Sequence, residues 1–463
     1  MLSYLIGIPL IGGIVLIGLP IGREEVSKGL GLLVSVVVFI MSLELWRGKE
    51  EIGENRFEFK EVWEGITLGV DSVSMFFVLL TTMIMPICIL GSWEMRRSKE
   101  LIGLLLIMEG IIIIVFTVMD IIVFYVFFEA VLIPMFLIIG GWGSRERKVK
   151  AGYYLFLYTL FGSVWMLLGL LMIYMEVGST SYEVILMEGI SEGRQAILWL
   201  GLFIGFAVKV PMVPVHIWLP EAHVEAPTVG SVVLASILLK LGTYGMIRYL
   251  IKLLPIGTVY FTPVVYVLCM IGIVYTSLTA IRQTDMKRII AYASVAHMNM
   301  TLVGLFSGTV EGYEGAVLQM LAHGFVSGGL FICIGVLYER HHSRLVKYYS
   351  GVALVMPVYS ILFLVLTMAN IGLPGTSSFV GEFLILMGIF KVNVLVAVVS
   401  ATTMVLGGGY SLWLYNRVAY GNINEGMSKG GVDVTKRELW MLIPLVGLTI
   451  VIGIYPEVFL GEL

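Results

Sequence analysis

The sequence predicts an all-α polytopic membrane protein, and three observations predict it. Of its 463 residues, 59% are hydrophobic and 13% charged, with a mean hydropathy of +0.98, the balance of a chain that resides in lipid. Apolar stretches of about 20 residues, each long enough to cross the hydrocarbon core, recur along its whole length. The basic residues gather in the short polar stretches between them, with two exceptions, Lys209 and Lys240.

Taken in order, the first span covers 2–21. It lacks the basic start and cleavage site of a signal peptide and the Arg-rich amphipathy of a transit peptide, so it is expected to be retained. Spans follow at 29–46, 70–91, 101–118, 120–140, 151–175, 196–220, 228–250, 258–280, 287–307, 314–338, 351–391, 394–416 and 438–458, about 14 in all. Two of them cannot be continuous helices. In the seventh, Pro211 and Pro214 lack an N–H and would release the carbonyls of Ala207 and Val210, beside Lys209. The twelfth is too long for one crossing at about 1.5 Å per residue and is interrupted at Leu373-Pro374-Gly375. Unwound backbone at membrane depth is tolerated only where it is buried in protein or lines a hydrated cavity. Broken helices at matching positions are the pointer to inverted repeats, here spans 4–8 and 9–13. The expected plan is a three-helix segment over 1–100, repeats over 101–250 and 258–416, and a C-terminal helix at 438–458.

The basic residues orient this plan. Polar stretches after odd-numbered spans hold 19 of the 29, against eight after even-numbered spans taken with the flanking ends of the spans, Arg248 among the eight. Positive charge is retained on the cytoplasmic or matrix side, so the odd loops should face it and both termini the other. Two connections are long. In 47–66, Arg56-Phe57-Glu58-Phe59-Lys60 alternates with period two and suits an outer-side hairpin; 417–437 reads as an inner loop.

Several functions are excluded. No Gly-x-Gly-x-x-Gly follows a strand and no Gly-Lys-Ser/Thr loop occurs, which argues against nucleotide binding. A net charge of −3 gives no nucleic-acid footprint. Cys88, Cys269 and Cys333 stand singly in apolar segments, without metal or disulfide spacing. His216 and His223 have no companion ligands, and no metal is expected.

Chemistry must therefore come from polar groups inside the spans: Glu129, Lys209, Lys240, His297, His323, Glu382 and Glu109. An ionisable residue at that depth is disfavoured by at least about 2.5 kcal/mol and by default marks an ion or proton path. The alternative is a static interhelical pair for the charged groups, and a satisfied core histidine for His297 and His323. Asp71 and Asp120 suit helix ends, with Asp120 also placed for a cavity mouth.

The run 209–227, KVPMVPVHIWLPEAHVEAP, with Lys240 in LLKLGTYGM, resembles the proton-translocating antiporter-like subunits of respiratory NADH:quinone oxidoreductase (complex I) and of Mrp-type sodium/proton antiporters. FFEAVLIPMF, YASVAHMNM, LAHGFVSGGLFICIGVLYER and GLPGTSSFVGEF extend the likeness across about 100–390. Glutamate at 382 and the chain's length resemble the subunit 4 branch; Glu109 matches no motif of the family. The resemblance implies a proton path from Glu129 through Lys209, Lys240, His297 and His323 to Glu382. It implies that NADH, FMN, iron–sulfur clusters and ubiquinone are used on other chains, with no cofactor on this one. It implies the antiporter-like chains 2 and 5 and the lipid bilayer as neighbours, and a mitochondrial inner or bacterial plasma membrane as location, the compact length favouring the mitochondrion. A sodium/proton antiporter subunit and a structural scaffold are the alternatives.

Overall fold

The computed structural model describes every residue except 21–23, 48–58, 64, 145, 424–431 and 462. The apolar stretches are helical, as they must be in lipid, where a helix satisfies its backbone donors and acceptors within one segment. Helices α1 (Leu2–Gly18) and α2 (Glu24–Arg47) come first, then an antiparallel hairpin of β1 (Phe59–Trp63) and β2 (Ile66–Val70). Helices α3 (Ser72–Gly91), α4 (Ser98–Thr117), α5 (Ile121–Ala130), α6 (Leu132–Trp142), α7 (Lys148–Val177), α8 (Tyr182–Glu188), α9 (Glu192–Lys209) and α10 (Trp218–Glu225) follow. Helices α11 (Thr228–Val233) and α12 (Leu239–Gly245) belong to one helical run, Thr228–Ile251, that contains π-helical turns at Leu234–Leu238 and Met246–Ile251. The remainder comprises α13 (Pro255–Ile281), α14 (Met286–Leu305), α15 (Val310–His341), α16 (Val352–Val355), α17 (Pro357–Ile371), α18 (Ser377–Val392), α19 (Val394–Ala419), α20 (Lys436–Ile454) and α21 (Glu457–Leu460).

Among the described residues, 10 helices are long and apolar enough to cross a membrane. The chain is an integral membrane protein. Helices α1, α9, α14, α17 and α18 fall outside those ten, being shorter or more polar.

Polar residues at helix ends close the backbone. Asp71 Oδ1 accepts from Ser74 N–H at 2.9 Å, and Asp120 Oδ1 from the N–H groups of Ile122 and Val123, each at 2.9 Å. These bonds account for both aspartates as N-caps. Asp285 caps α14, Thr309 caps α15, and Thr435 with Glu438 forms a reciprocal capping box on α20.

The breaks fall beside the candidate residues. Helix α9 stops at Lys209, two residues before Pro211, and the chain is helical again only from Trp218. Helices α17 and α18 are separated by Gly372–Thr376, with Gly372 in the left-handed region at φ +81°. A third interruption lies in the stretch expected to be one span over 120–140: α5 gives way to α6 at Val131. Pro134 explains it, since it leaves the Ala130 carbonyl without its i+4 donor.

Of the hairpin expected in 47–66, residues 48–58 and 64 lie outside the described residues, as do 424–431 of the loop 417–437. The strands observed run from Phe59, paired with Val70, to Trp63, paired with Ile66. Met119 N–H donates to the Thr67 carbonyl at 3.0 Å, and Tyr182 N–H to the Met119 carbonyl at 2.8 Å, tying β2 to the ends of α4 and α8.

The chain divides into two compact units. One comprises residues 1–209, 225–233 and 237–261; the other comprises 210–224, 234–236 and 262–463. In the first, α1 packs on α4, α2 on α3 and α7 on α9. A Cβ on Gly13 would lie 2.7 Å from the Gly103 carbonyl oxygen, so glycine is what lets α1 and α4 approach this closely. In the second, α15 is the central helix, buried along its apolar length and packed on α14, α17, α18 and α20.

Candidate functional site

In the first unit, α9 ends on Lys209, which is 3% exposed. Its ammonium sits at the C-terminal, negative end of the helix dipole, a favourable place for a cation. Nζ donates to the Phe128 carbonyl oxygen at 3.2 Å and lies 4.4 Å from the centroid of the Phe128 ring, a cation–π contact worth about 2 kcal/mol when desolvated. Glu129 is the next residue along α5. Its carboxylate feels the Lys209 charge and lies beside Ser163 of α7, but no ion pair joins Glu129 to Lys209 among the described residues, and Glu129 Oε1 is buried without a hydrogen-bond partner. The two groups are coupled across a gap, and the backbone carbonyl holds the ammonium meanwhile.

Lys240 lies in the same unit on α12, fully buried, between the two π-helical turns. Such turns recur where a helix must re-aim a functional side chain. Helix α12 packs on α9, the helix that carries Lys209.

The second unit gathers the other three residues. His297 of α14 places Nδ1 3.0 Å from Glu382 Oε1, in contact but off the line of a hydrogen bond. Gln319 of α15 donates through Nε2 to the same Oε1 at 3.1 Å. One turn along α15, the His323 ring stands with its centroid 6.0 Å from that of His297. His297, His323 and Glu382 are 3%, 3% and 1% exposed. Glu382 Oε2 approaches Gly372, where a Cβ would come within 2.8 Å, so this glycine meets both the positive φ and the space the carboxylate needs. Tyr410 of α19 also senses the Glu382 charge.

Chemically, each unit offers groups that bind and release a proton, held in polar company and shielded from bulk solvent. An imidazole can accept at one ring nitrogen and donate at the other, which suits the histidines to a relay. Sequence reasoning missed Phe128, Gln319 and Gly372. Gln319 was open to detection, lying four residues before His323 on the same helical face; the Phe128 contact is made by a backbone carbonyl, which leaves no mark in sequence.

Other singled-out residues take structural places. The His223 ring stacks on Phe331 at 4.5 Å, His216 meets Tyr275 edge-on at 5.7 Å, and Glu221 Oε1 pairs with Arg288 at 2.5 Å. The three cysteines are buried with free thiols. Glu109 of α4 is fully buried, neither oxygen having a hydrogen-bond partner, and it belongs to neither cluster. Arg248, counted at the flanking end of its span, is 5% exposed and held by Asp71 and Ser74.

The family model described as NADH:quinone oxidoreductase/Mrp antiporter, TM, matches residues 118–407. The NADH-ubiquinone oxidoreductase chain 4 of Marchantia polymorpha is 51% identical over 468 residues, spanning 99% of this chain and 94% of its own. Its counterpart in Arabidopsis thaliana is 52% identical with the same coverage, and that of Mycosarcoma maydis 44% identical, covering 100% and 98%. Among solved structures, a chain of respiratory complex I from Thermus thermophilus, determined with bound NADH, superposes with a TM-score of 0.90 at 30% identity, covering 99% of this chain and 96% of that one. An archaeal membrane-bound sulfane sulfur reductase contains the same fold at TM-score 0.90 and 20% identity.

Proposed function

The chain belongs to the NADH:quinone oxidoreductase/Mrp antiporter family, and from that premise we propose that it is the chain 4 membrane-arm subunit of a respiratory complex I, carrying protons across the membrane. Oxidation of NADH and reduction of ubiquinone, with their FMN and iron–sulfur clusters, belong to other chains of that complex. The antiporter-like chains 2 and 5 are its membrane neighbours. The mitochondrial inner membrane is its location, in keeping with the plant and fungal relatives. About fourteen crossings in two inverted repeats, with the odd loops facing the matrix, fit the basic-residue asymmetry and the broken helices.

The observation that carries this reading is the placement of Lys209. It ends a broken helix, is buried, is parked on the Phe128 carbonyl, and is coupled to a Glu129 carboxylate that it does not touch. Closing that gap holds the proton on Lys209; opening it hands the proton toward Lys240. In the second unit, His323 passes a proton through His297 to Glu382, whose Oε1 His297 and Gln319 approach. Moving one proton against about 150–200 mV requires about 3.5–4.5 kcal/mol, and making or breaking a partly buried ion pair involves several kcal/mol. The pair is of the right size to couple transport to an outside drive.

The test is the number of protons moved per NADH oxidised by assembled complex in proteoliposomes. Lys209→Ala should lower it while NADH oxidation persists. An unchanged stoichiometry in fully assembled complex would sink the proposal and favour a scaffold. Dependence of transport on sodium would favour the antiporter reading.

A further inference from the structure

One buried cluster in the first unit is not used by the proton path above. It begins on the helix that carries Lys240. Tyr244 lies one turn from Lys240 on the same face, and Arg248 one turn beyond, close enough for its Nε to donate to the Tyr244 hydroxyl at 3.2 Å. Arg248 NH1 pairs with Asp71 Oδ2 at 2.8 Å, and NH2 donates to Ser74 Oγ at 2.9 Å. The guanidinium carbon lies 5.3 Å from the ring centroid of Tyr182 and 5.5 Å from that of Tyr244. Lys252 adds a second positive charge to the same field. The Tyr244 ring is packed by Phe77 and Phe116. Asp71 directly follows β2, so the cluster lies at the hairpin end of the unit.

The direction of the hydrogens is fixed by chemistry. A carbonyl can only accept, so the Tyr244 hydroxyl, 2.9 Å from the Phe116 carbonyl oxygen, donates to it. Ser74 Oγ, also 2.9 Å from that hydroxyl, must then donate to Tyr244, while accepting from Arg248. Through Ser74 and Tyr244 the hydrogens therefore run from Arg248 toward a backbone carbonyl, while the NH1 hydrogen ends on Asp71 Oδ2. A proton moves along a hydrogen-bonded row only if each member can accept on one side and give up a hydrogen on the other. The carbonyl has none to give, and a guanidinium never accepts one. A fixed cation in a narrow polar passage additionally repels protons, as in pores that exclude them.

We propose that the Asp71–Arg248–Ser74–Tyr244 cluster is a proton seal, closing the hairpin end of the first unit so that a proton held at Lys240 cannot escape or re-enter there. The proposal rests on the proton-carrying reading above.

The test is passive proton entry into proteoliposomes containing the purified complex, read with an entrapped pH dye after an acid pulse, without NADH. Arg248→Met should speed entry about tenfold, the effect of a modest barrier loss, and should abolish the pH gradient built during turnover while NADH oxidation continues. Arg248→Lys, which keeps the charge, should stay close to the parent, and a leak as large as that of Arg248→Met would overturn the role of charge. Tyr244→Phe keeps the Asp71–Arg248 pair but leaves Arg248 Nε, Ser74 Oγ and the Phe116 carbonyl to bond water instead, which reopens the row, and should also leak. Assembled Arg248→Met as tight as the parent would overturn the seal; if that variant does not assemble, a tight Tyr244→Phe overturns it. Failure of the proton-carrying reading is read separately, from unchanged pumping in Lys209→Ala.

Discussion

At the scale of single residues, the proposed mechanism requires Lys209 and Glu129 to meet, and both are placed for it. The ammonium is held by the Phe128 carbonyl, the last turn of α9 and an aromatic face, while the carboxylate keeps one oxygen unpaired. Replacing Glu129 with Ala should therefore leave Lys209 held but uncommanded. Assembly and NADH oxidation should survive in Glu129→Ala, and proton transfer per NADH should fall, measured with a pH-sensitive dye in proteoliposomes. Asp71 allows a separate test. Burial raises its proton affinity, but Arg248 and the Ser74 N–H outweigh that and hold its carboxyl below the usual range. A folded-state value below the unfolded one means that its contribution to stability is present above about pH 4 and is lost as pH falls through the folded value. The contribution of Asp71 to thermal stability in detergent should thus be flat from pH 8 to about 5, and Asp71→Asn should cost about 1–3 kcal/mol there, a buried-pair loss reduced for partial exposure. The depth of Lys209, Lys240 and Glu382 could be read from their apolar flanks. That of Arg248 could not, because it stands at the end of its span, where a basic residue ordinarily reaches water.

At the scale of elements, the breaks in the helices decide where the chemistry can be. Those at Pro211 and at Leu373-Pro374-Gly375 were evident because proline removes a donor wherever it stands; the one at Val131 was overlooked because Pro134 sits in an otherwise uniform apolar run. The π-helical turns around Lys240 have no comparable sequence signature, since their cause is packing on neighbouring helices. Gly372 is the most exacting position, with φ at +81° and Glu382 Oε2 within 2.8 Å of any added Cβ. Gly372→Ala should lower stability by about 1–3 kcal/mol through backbone strain, and should lower proton transfer more than NADH oxidation. At the far end of the chain, Thr435→Ala removes half of the capping box on α20 and should cost about 1 kcal/mol without changing stoichiometry. Parallel thermal-shift and pumping measurements on the two variants separate a functional break from a structural cap.

At the scale of the whole molecule, composition announced a membrane protein, while the grouping of the six candidate residues into two buried clusters had to come from the fold. Glu129, Lys209 and Lys240 lie in one unit, and His297, His323 and Glu382 in the other. If they form one route, impairments in the two units should not add. Lys209→Ala with Glu382→Gln should pump no less than the weaker single variant, whereas independent routes would give a further drop in protons per NADH. The helices that bear Lys209, His297 and Glu382 fall outside the ten that are long and apolar enough to cross a membrane on their own merits. A segment of that kind partitions poorly into lipid as it leaves the insertion machinery. Helices α9 and α18 emerge after the neighbours that receive them, α7 and α15, but α14 emerges before α15 and has to wait for it. His297 is thus buried only after the helix that follows it, and a nascent chain truncated before α15 should leave α14 accessible to water-soluble labels.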